Sequence, residues 1–297
     1  MPSLLQFFLP NIGKRIGYQI NGEVFDITEL VGSLSDWIKS TVGRVNESIV
    51  ELDNAVFPNQ FRFNFIDLDT NPDPLRPHLL APVDSQDVWG AGVTYSRSRE
   101  ARKEESIDGG DIYARVYTAV RPEVFFKAPV RNVVGHRDWV GIRHDATWSV
   151  PEPEFTILLN PALEVVGMTI GNDMCSRDIE GENPLYLPQG KIYTASCSLG
   201  PRIVLQPFTD WPDIEITLEI YRHGANVFTD NTNTASLHRK LSTLVEYLQR
   251  CNTFPEGVFL LTGTGIIPPG KFSLQEGDIV RIKMEGIGEL VNPVRVV

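Results

Sequence analysis

Two apolar runs, residues 155–159 and 165–170, lie five residues apart, and three carboxylates bracket them. Each run has the length and composition of a buried strand. Glu152 and Glu154 lead into the first run. Asp173 follows the second, 19 residues after Glu154. In an extended chain, residues i and i+2 point to one face, so Glu152 and Glu154 aim the same way. If the two runs pair as neighbouring strands, Asp173 returns to that face. Like charges this close need a cation between them. Three carboxylates with open positions suit Mg²⁺, which takes oxygen ligands and keeps part of its shell for water or substrate. Taken alone, a Glu-x-Glu pair is more often a solvated surface pair.

Further motifs surround this stretch. "PEPEFTILLN", "VGMTIGNDMCSRDIEG", "QGKIYTASCSLGPRI", "FLLTGTG" and "EGDIVRIKMEGIGELVNPV" occur in one order over about residues 88–297. Together they resemble the fumarylacetoacetate hydrolase family. "WGAGVTYSRSREARKEES" and "LTGTGIIPP" are most similar to the branch that dehydrates 2-keto-3-deoxy sugar acids. The resemblance implies an α+β protein in which residues 81–297 form a mixed, mostly-β catalytic roll; residues 1–80, where the resemblance is thin, read as a small N-terminal α/β unit. It implies Mg²⁺, with Mn²⁺ or Ca²⁺ as substitutes, on Glu152, Glu154 and Asp173. It places Lys191 and Arg177 at a 2-keto acid substrate and Thr264 at the substrate carboxylate; Glu180 and Lys127, the latter at a strand end, are further candidate substrate contacts. A homodimer or homotetramer is the usual assembly in the family.

The chemistry expected from this set is loss of a C3 proton to form an enolate, then loss of the 4-hydroxyl. Proton loss from C5 and tautomerisation then give 2,5-dioxopentanoate. Lys191 is the expected base, its pKa lowered by burial beside a cation. Thr94, Tyr95 and Ser98 are the groups expected to protonate the leaving hydroxyl. Members that cleave carbon–carbon bonds resemble G-x-N-Y-x-x-H-x-x-E, with His and Glu activating water. Aligned on Gly92 and Tyr95, this chain has Thr94, Ser98 and Ala101 at the Asn, His and Glu positions. A variant spacing with His five after the Tyr brings no His either, since Tyr95 plus five is Glu100, and no His occurs between His78 and His136. His is the natural base near neutral pH. Its absence favours dehydration over hydrolysis of an acylpyruvate or diketo acid. Decarboxylation of an oxaloacetate-like acid is the other alternative.

A formal net charge of −11 argues against nucleic-acid and anionic-membrane partners. Three scattered cysteines form no C-x-x-C pattern and fit a reducing cytoplasm. Cys175 reads as a small buried residue rather than a nucleophile. The opening "MPSLLQFFLP" lacks a basic region and a cleavage site, so no signal peptide is expected. Residues 15–27 read as two strands around an Asn21-Gly22 turn, and a short helix starts near Leu34 with Ser33 or Ser35 as its cap. Three prolines between 72 and 77 suggest a linker. The charged run 95–105, followed by Gly109-Gly110, reads as a lid helix and hinge. Residues 122–129 read as a strand carrying Lys127, and 133–148, with His136, Asp138, His144 and Asp145, as a hairpin rather than a metal cluster. Residues 214–220 alternate as a half-wet strand, and 236–250, with His238, as an amphipathic helix. Residues 258–265 read as a strand entering a Gly turn.

Overall fold

The computed structural model describes residues 1–55, 62–96, 115–270 and 272–297. Ser98, most of the charged run 95–105 and Gly109-Gly110 lie outside the described residues. The strands of the first third are β1 (Ser3–Leu9), β2 (Gly13–Ile20), β3 (Glu23–Asp26), β4 (Arg62–Asn64), β5 (His78–Leu80) and β6 (Asp87–Gly92). Then follow β7 (Glu123–Ala128), β8 (Val133–Val134), β9 (Val140–Ile142), β10 (Ser149–Val150), β11 (Pro153–Leu159), β12 (Val165–Asp173) and β13 (Cys175–Ser176). The last are β14 (Cys197–Leu205), β15 (Glu215–Arg222), β16 (Ala225–Asn233), β17 (Val258–Leu261), β18 (Ile279–Met284) and β19 (Gly288–Val296). Helices are short: α1 (Thr28–Val31), α2 (Leu34–Ser40), α3 (Val45–Asp53), α4 (Phe65–Leu68), α5 (Arg177–Glu182), α6 (Leu187–Lys191) and α7 (Leu241–Gln249). The result is the expected α+β, mostly-β architecture.

One sheet runs β4-β3-β2-β1-β14-β12-β11-β17-β6-β7, with β5 on β1 and β8 on β14. A second runs β16-β15-β18-β19-β9. Every residue of β11 is buried, and all but the first of β12. Strands covered on both faces read as continuous apolar runs, which is how these two stand in the sequence. β15 has one wet face and alternates accordingly. β7 ends the long sheet, four places from β12. Yet Lys127 of β7 reaches Asp173 of β12 at 2.5 Å, so the sheet curls back on itself.

Strands β1–β5 of the first 80 residues share this sheet, with β1 antiparallel to β14. Leu4, Trp37, Leu158 and Phe259 belong to one core cluster. Asn21 (φ 53°) and Gly22 (φ 85°) make the left-handed two-residue turn between β2 and β3. Ser33 caps α2, its hydroxyl accepting from the Asp36 amide at 2.9 Å.

Two expectations are corrected. The segment 236–250 is not one helix: α7 begins at Leu241, and Leu237 pairs with Tyr95 in an isolated β-bridge. Leu237 (ψ 119°) and Lys240 (ψ 143°) are extended, and the His238 amide between them donates to the Thr94 carbonyl at 2.9 Å. His238 is therefore not helical, and its ring stacks on Tyr117. Nor is 133–148 a hairpin. β8 runs parallel to β14 and β9 parallel to β19, so the two strands serve different sheets. His136 Nε2 lies 2.7 Å from Asp69 Oδ1 and its Nδ1 accepts from the Val291 amide, which ties this loop to both ends of the chain.

Candidate active site

β11 and β12 are antiparallel neighbours, with Pro153 opposite Asn172 and Glu154 opposite Gly171. The Asp173 amide donates to the Glu152 carbonyl at 2.9 Å. This register carries the three acids to one end of the pair. One oxygen each of Glu152, Glu154 and Asp173 lies within 4.8 Å of the others, and all three residues are buried. Gly171 permits the approach of β17. A Cβ there would sit 2.2 Å from Leu261 Cδ2 and from Thr156 Oγ1.

Two cations face these acids. Lys191, last in α6, places Nζ 2.6 Å from Glu152 Oε2 and 2.9 Å from Asp173 Oδ2. Arg177, first in α5, donates from Nη2 to Glu152 Oε1 at 2.7 Å. All of these groups line one cavity, together with Glu180, Gly263 and Thr264. The Gly263 amide donates to Glu154 Oε2 at 2.5 Å. Glu180 accepts from the Cys175 thiol at 2.8 Å. Burial and the charge of Glu180 push that thiol well up, so it stays protonated, as a buried non-nucleophilic cysteine should.

Burial, together with the charges of Asp173 and Glu152, raises the Glu154 carboxyl well above the carboxylate range. A cluster that crowds a proton onto one of three acids is one that a hard divalent cation relieves, and an all-oxygen donor set suits Mg²⁺. Lys191 departs from expectation. Burial works against its charge, but Asp173 and Glu152 are among neighbours that outweigh burial and hold its pKa well above the ordinary value. The pKa-lowering expected of a lysine in this place does not come from the protein's own groups.

Not every candidate reaches the cavity. Lys127 is fully buried behind it, 2.5 Å from Asp173 Oδ1, and donates to the carbonyls of Met174 (2.9 Å) and Lys191 (2.5 Å). Thr94 is buried with its hydroxyl donating to the Thr262 carbonyl at 2.6 Å. Tyr95 is buried against Gly265, where a Cβ would meet its ring at 2.8 Å. Neither Thr94 nor Tyr95 lines the cavity.

Among the lining residues that escaped the sequence reading are Glu123 and Phe125 of β7. Glu123 pairs with Gly92 and Phe125 with Gly90 across β6. A Cβ on Gly92 would lie 2.1 Å from Glu123 Oε2, and one on Gly90 2.6 Å from Phe125 Cζ. The two glycines of "WGAG" thus open room for two side chains of the next strand. Phe125 lies under the Lys191 ammonium, 5.9 Å from ring centroid to Nζ. The signal was there in the i, i+2 spacing of Glu123, Phe125 and Lys127.

Residues 88–295 match the family model described as fumarylacetoacetate (FAA) hydrolase, C-terminal. A probable 2-keto-3-deoxyxylonate dehydratase of Haloferax volcanii is 49% identical over 221 residues, 74% of this chain and 76% of that one. A 2-dehydro-3-deoxy-D-arabinonate dehydratase of Saccharolobus solfataricus is 37% identical over 290 residues, 94% and 93% of the two chains. The solved structure of 2-keto-3-deoxy-D-arabinonate dehydratase complexed with magnesium and 2,5-dioxopentanoate is similar at a TM-score of 0.84, with 31% identity and 99% of each chain covered. A fumarylacetoacetate hydrolase from Exiguobacterium antarcticum is similar at 0.71, with 25% identity over the whole of both chains. With the family model matching residues 88–295, more than half of this chain, and these relatives alongside, the chain belongs to the fumarylacetoacetate hydrolase family.

Proposed function

We propose that this protein is a Mg²⁺-dependent hydro-lyase. It dehydrates a 2-keto-3-deoxy sugar acid, 2-keto-3-deoxy-D-arabinonate or a close analogue, to 2,5-dioxopentanoate. The observation that carries this reading is the convergence of Glu152, Glu154 and Asp173 with the Lys191 ammonium in one buried cavity. The full-length likeness to dehydratases supports the substrate class.

Glu152, Glu154 and Asp173 would hold the ion, with Mn²⁺ and Ca²⁺ as replacements to be measured. When bound, the ion supplies Lewis acidity to the carboxylate and 2-oxo oxygens of a keto acid, and positive charge that lowers the proton affinity of Lys191. Lys191 takes the C3 proton. Arg177 fixes Glu152 and, with the Thr264 side, orients the substrate. Glu123, which also lines the cavity, handles the proton of the departing 4-hydroxyl or holds the distal hydroxyls. The atoms balance as one water lost: the C3 proton leaves with the 4-hydroxyl, a C5 proton replaces it at C3, and the 5-hydroxyl proton moves to C4 as C5 becomes the aldehyde. Glu180, which lines the cavity, accepts from the Cys175 thiol.

The test is Mg²⁺-dependent aldehyde formation from a panel of 2-keto-3-deoxypentonates, followed as a semicarbazone. Cleavage of acylpyruvates with every sugar acid left intact would overturn the reading in favour of hydrolysis. We place the protein in the cytoplasm as a homodimer or homotetramer, which light scattering after size exclusion checks. Among the described residues no helix is long and apolar enough to cross a membrane.

A further inference from the structure

We infer that Thr94 is a positioning residue for a metal ligand, and not a proton donor to the substrate. The chain of contacts has three links. The Thr94 hydroxyl donates to the Thr262 carbonyl at 2.6 Å. That carbonyl belongs to the peptide whose nitrogen is Gly263 N, and this N–H donates to Glu154 Oε2 at 2.5 Å. Glu154 is one of the three acids that would hold Mg²⁺. A single peptide plane is thus gripped at its oxygen by Thr94 and presents its N–H to the carboxylate.

The surroundings leave this plane little freedom. Gly263 has φ 89°, and a Cβ on it would lie 2.0 Å from Thr94 Oγ1 and 2.9 Å from the Ala91 carbonyl. No other residue type fits that turn without displacing Thr94. Thr94 is itself held from the far side, its carbonyl accepting from the His238 amide at 2.9 Å. The next residue, Tyr95, is bridged to Leu237. Gly265 completes the clamp, because a Cβ there would meet Thr232 Oγ1 at 2.5 Å as well as the Tyr95 ring. Rotation of the 262–263 peptide would turn the N–H away from Glu154. The Thr94 hydroxyl opposes that rotation. Groups that orient a metal ligand's own hydrogen-bond partner tune affinity for the ion.

This inference rests on the proposed metal site, and its test reads metal binding separately from turnover. Mg²⁺ affinity is measured by titration calorimetry on wild type, Thr94→Val and Thr94→Ser, alongside thermal midpoints in EDTA. Val keeps the packing against Gly263 and removes the hydroxyl. The expected result is a roughly fivefold weaker Mg²⁺ dissociation constant in Thr94→Val, the size of one lost neutral hydrogen bond. Thr94→Ser stays within about twofold of wild type, and kcat at saturating Mg²⁺ is preserved in both variants. Ile49→Val, on α3 and outside the cavity lining, controls for general destabilisation and leaves Mg²⁺ affinity unchanged. Equal affinity in Thr94→Val and wild type overturns the inference. So does a weakening in Thr94→Ser as large as in Val, or a collapse of kcat that saturating Mg²⁺ does not restore. Wild type that binds no Mg²⁺ at all refutes the metal site itself, an outcome distinct from each of these.

Discussion

Lys127→Met separates two roles that a buried lysine beside an active site can play. The ammonium is fully enclosed and touches Asp173 Oδ1, the Met174 carbonyl and the Lys191 carbonyl, at 2.5, 2.9 and 2.5 Å. Met matches the stem in shape and supplies no donor. Removing one partner of a buried ion pair costs about 3–5 kcal/mol, because the other charge stays buried. Asp173 keeps Lys191 at 2.9 Å, which argues for the middle of that range, while two carbonyls lose a donor. We therefore expect about 4 kcal/mol. At about 2.1 cal/mol/K per residue, 297 residues give an unfolding entropy near 0.6 kcal/mol/K, so the midpoint falls by roughly 6 °C. The assay is thermal unfolding in EDTA, repeated in excess Mg²⁺. The added cation should recover part of the loss by taking over the charge on Asp173. A shift below about 1 °C with a raised KM would refute this reasoning and return Lys127 to the substrate.

Lys191→Met should lower kcat by at least about a thousandfold, since it removes the expected base, and calorimetry should still find Mg²⁺ bound; full turnover would end that assignment. Glu154 links stability to pH. Its carboxyl is raised well above 4.5 by burial, Asp173 and Glu152, so the metal-free native state holds a proton that the unfolded chain has released. Stability in EDTA therefore falls as pH rises from about 4.5 through the raised value, and Glu154→Gln flattens that limb of the midpoint-versus-pH curve. A wild-type curve as flat as the variant's would contradict the crowding. Glu123→Gln should lower kcat/KM for the sugar acid about 10- to 100-fold without moving the thermal midpoint; activity within twofold of wild type would remove Glu123 from the substrate's reach.

These tests divide along the line between local and non-local information. Glu152, Glu154 and Asp173 were readable because strand parity is a property of neighbouring residues, and the two apolar runs had one plausible pairing. The Asn21-Gly22 turn and the Ser33 cap are local in the same sense. Lys127 looked like the end of a strand with a role at the substrate. Its position behind Asp173 follows only from the curl that brings the last strand of a long sheet back to one four places away, and nothing in residues 122–129 encodes that curl. Thr94 had the chemistry of a donor, but its hydroxyl is claimed by a turn 168 residues further on. The helix expected over 236–250 failed for a like reason: its leucine stripe is genuine from Leu241 onward, while Leu237 is drawn into a bridge with Tyr95. Glu123 is the instructive middle case. Its i, i+2 relation to Phe125 and Lys127 was visible, as were the two glycines of "WGAG", yet only the β6–β7 register sets Gly92 opposite Glu123 and so turns an absent side chain into space for a carboxylate. A small-residue strand followed by one bearing an acid and an aromatic at alternate positions is thus a pattern of cavity wall that single-strand periodicity cannot reveal, because the information lies in the pairing.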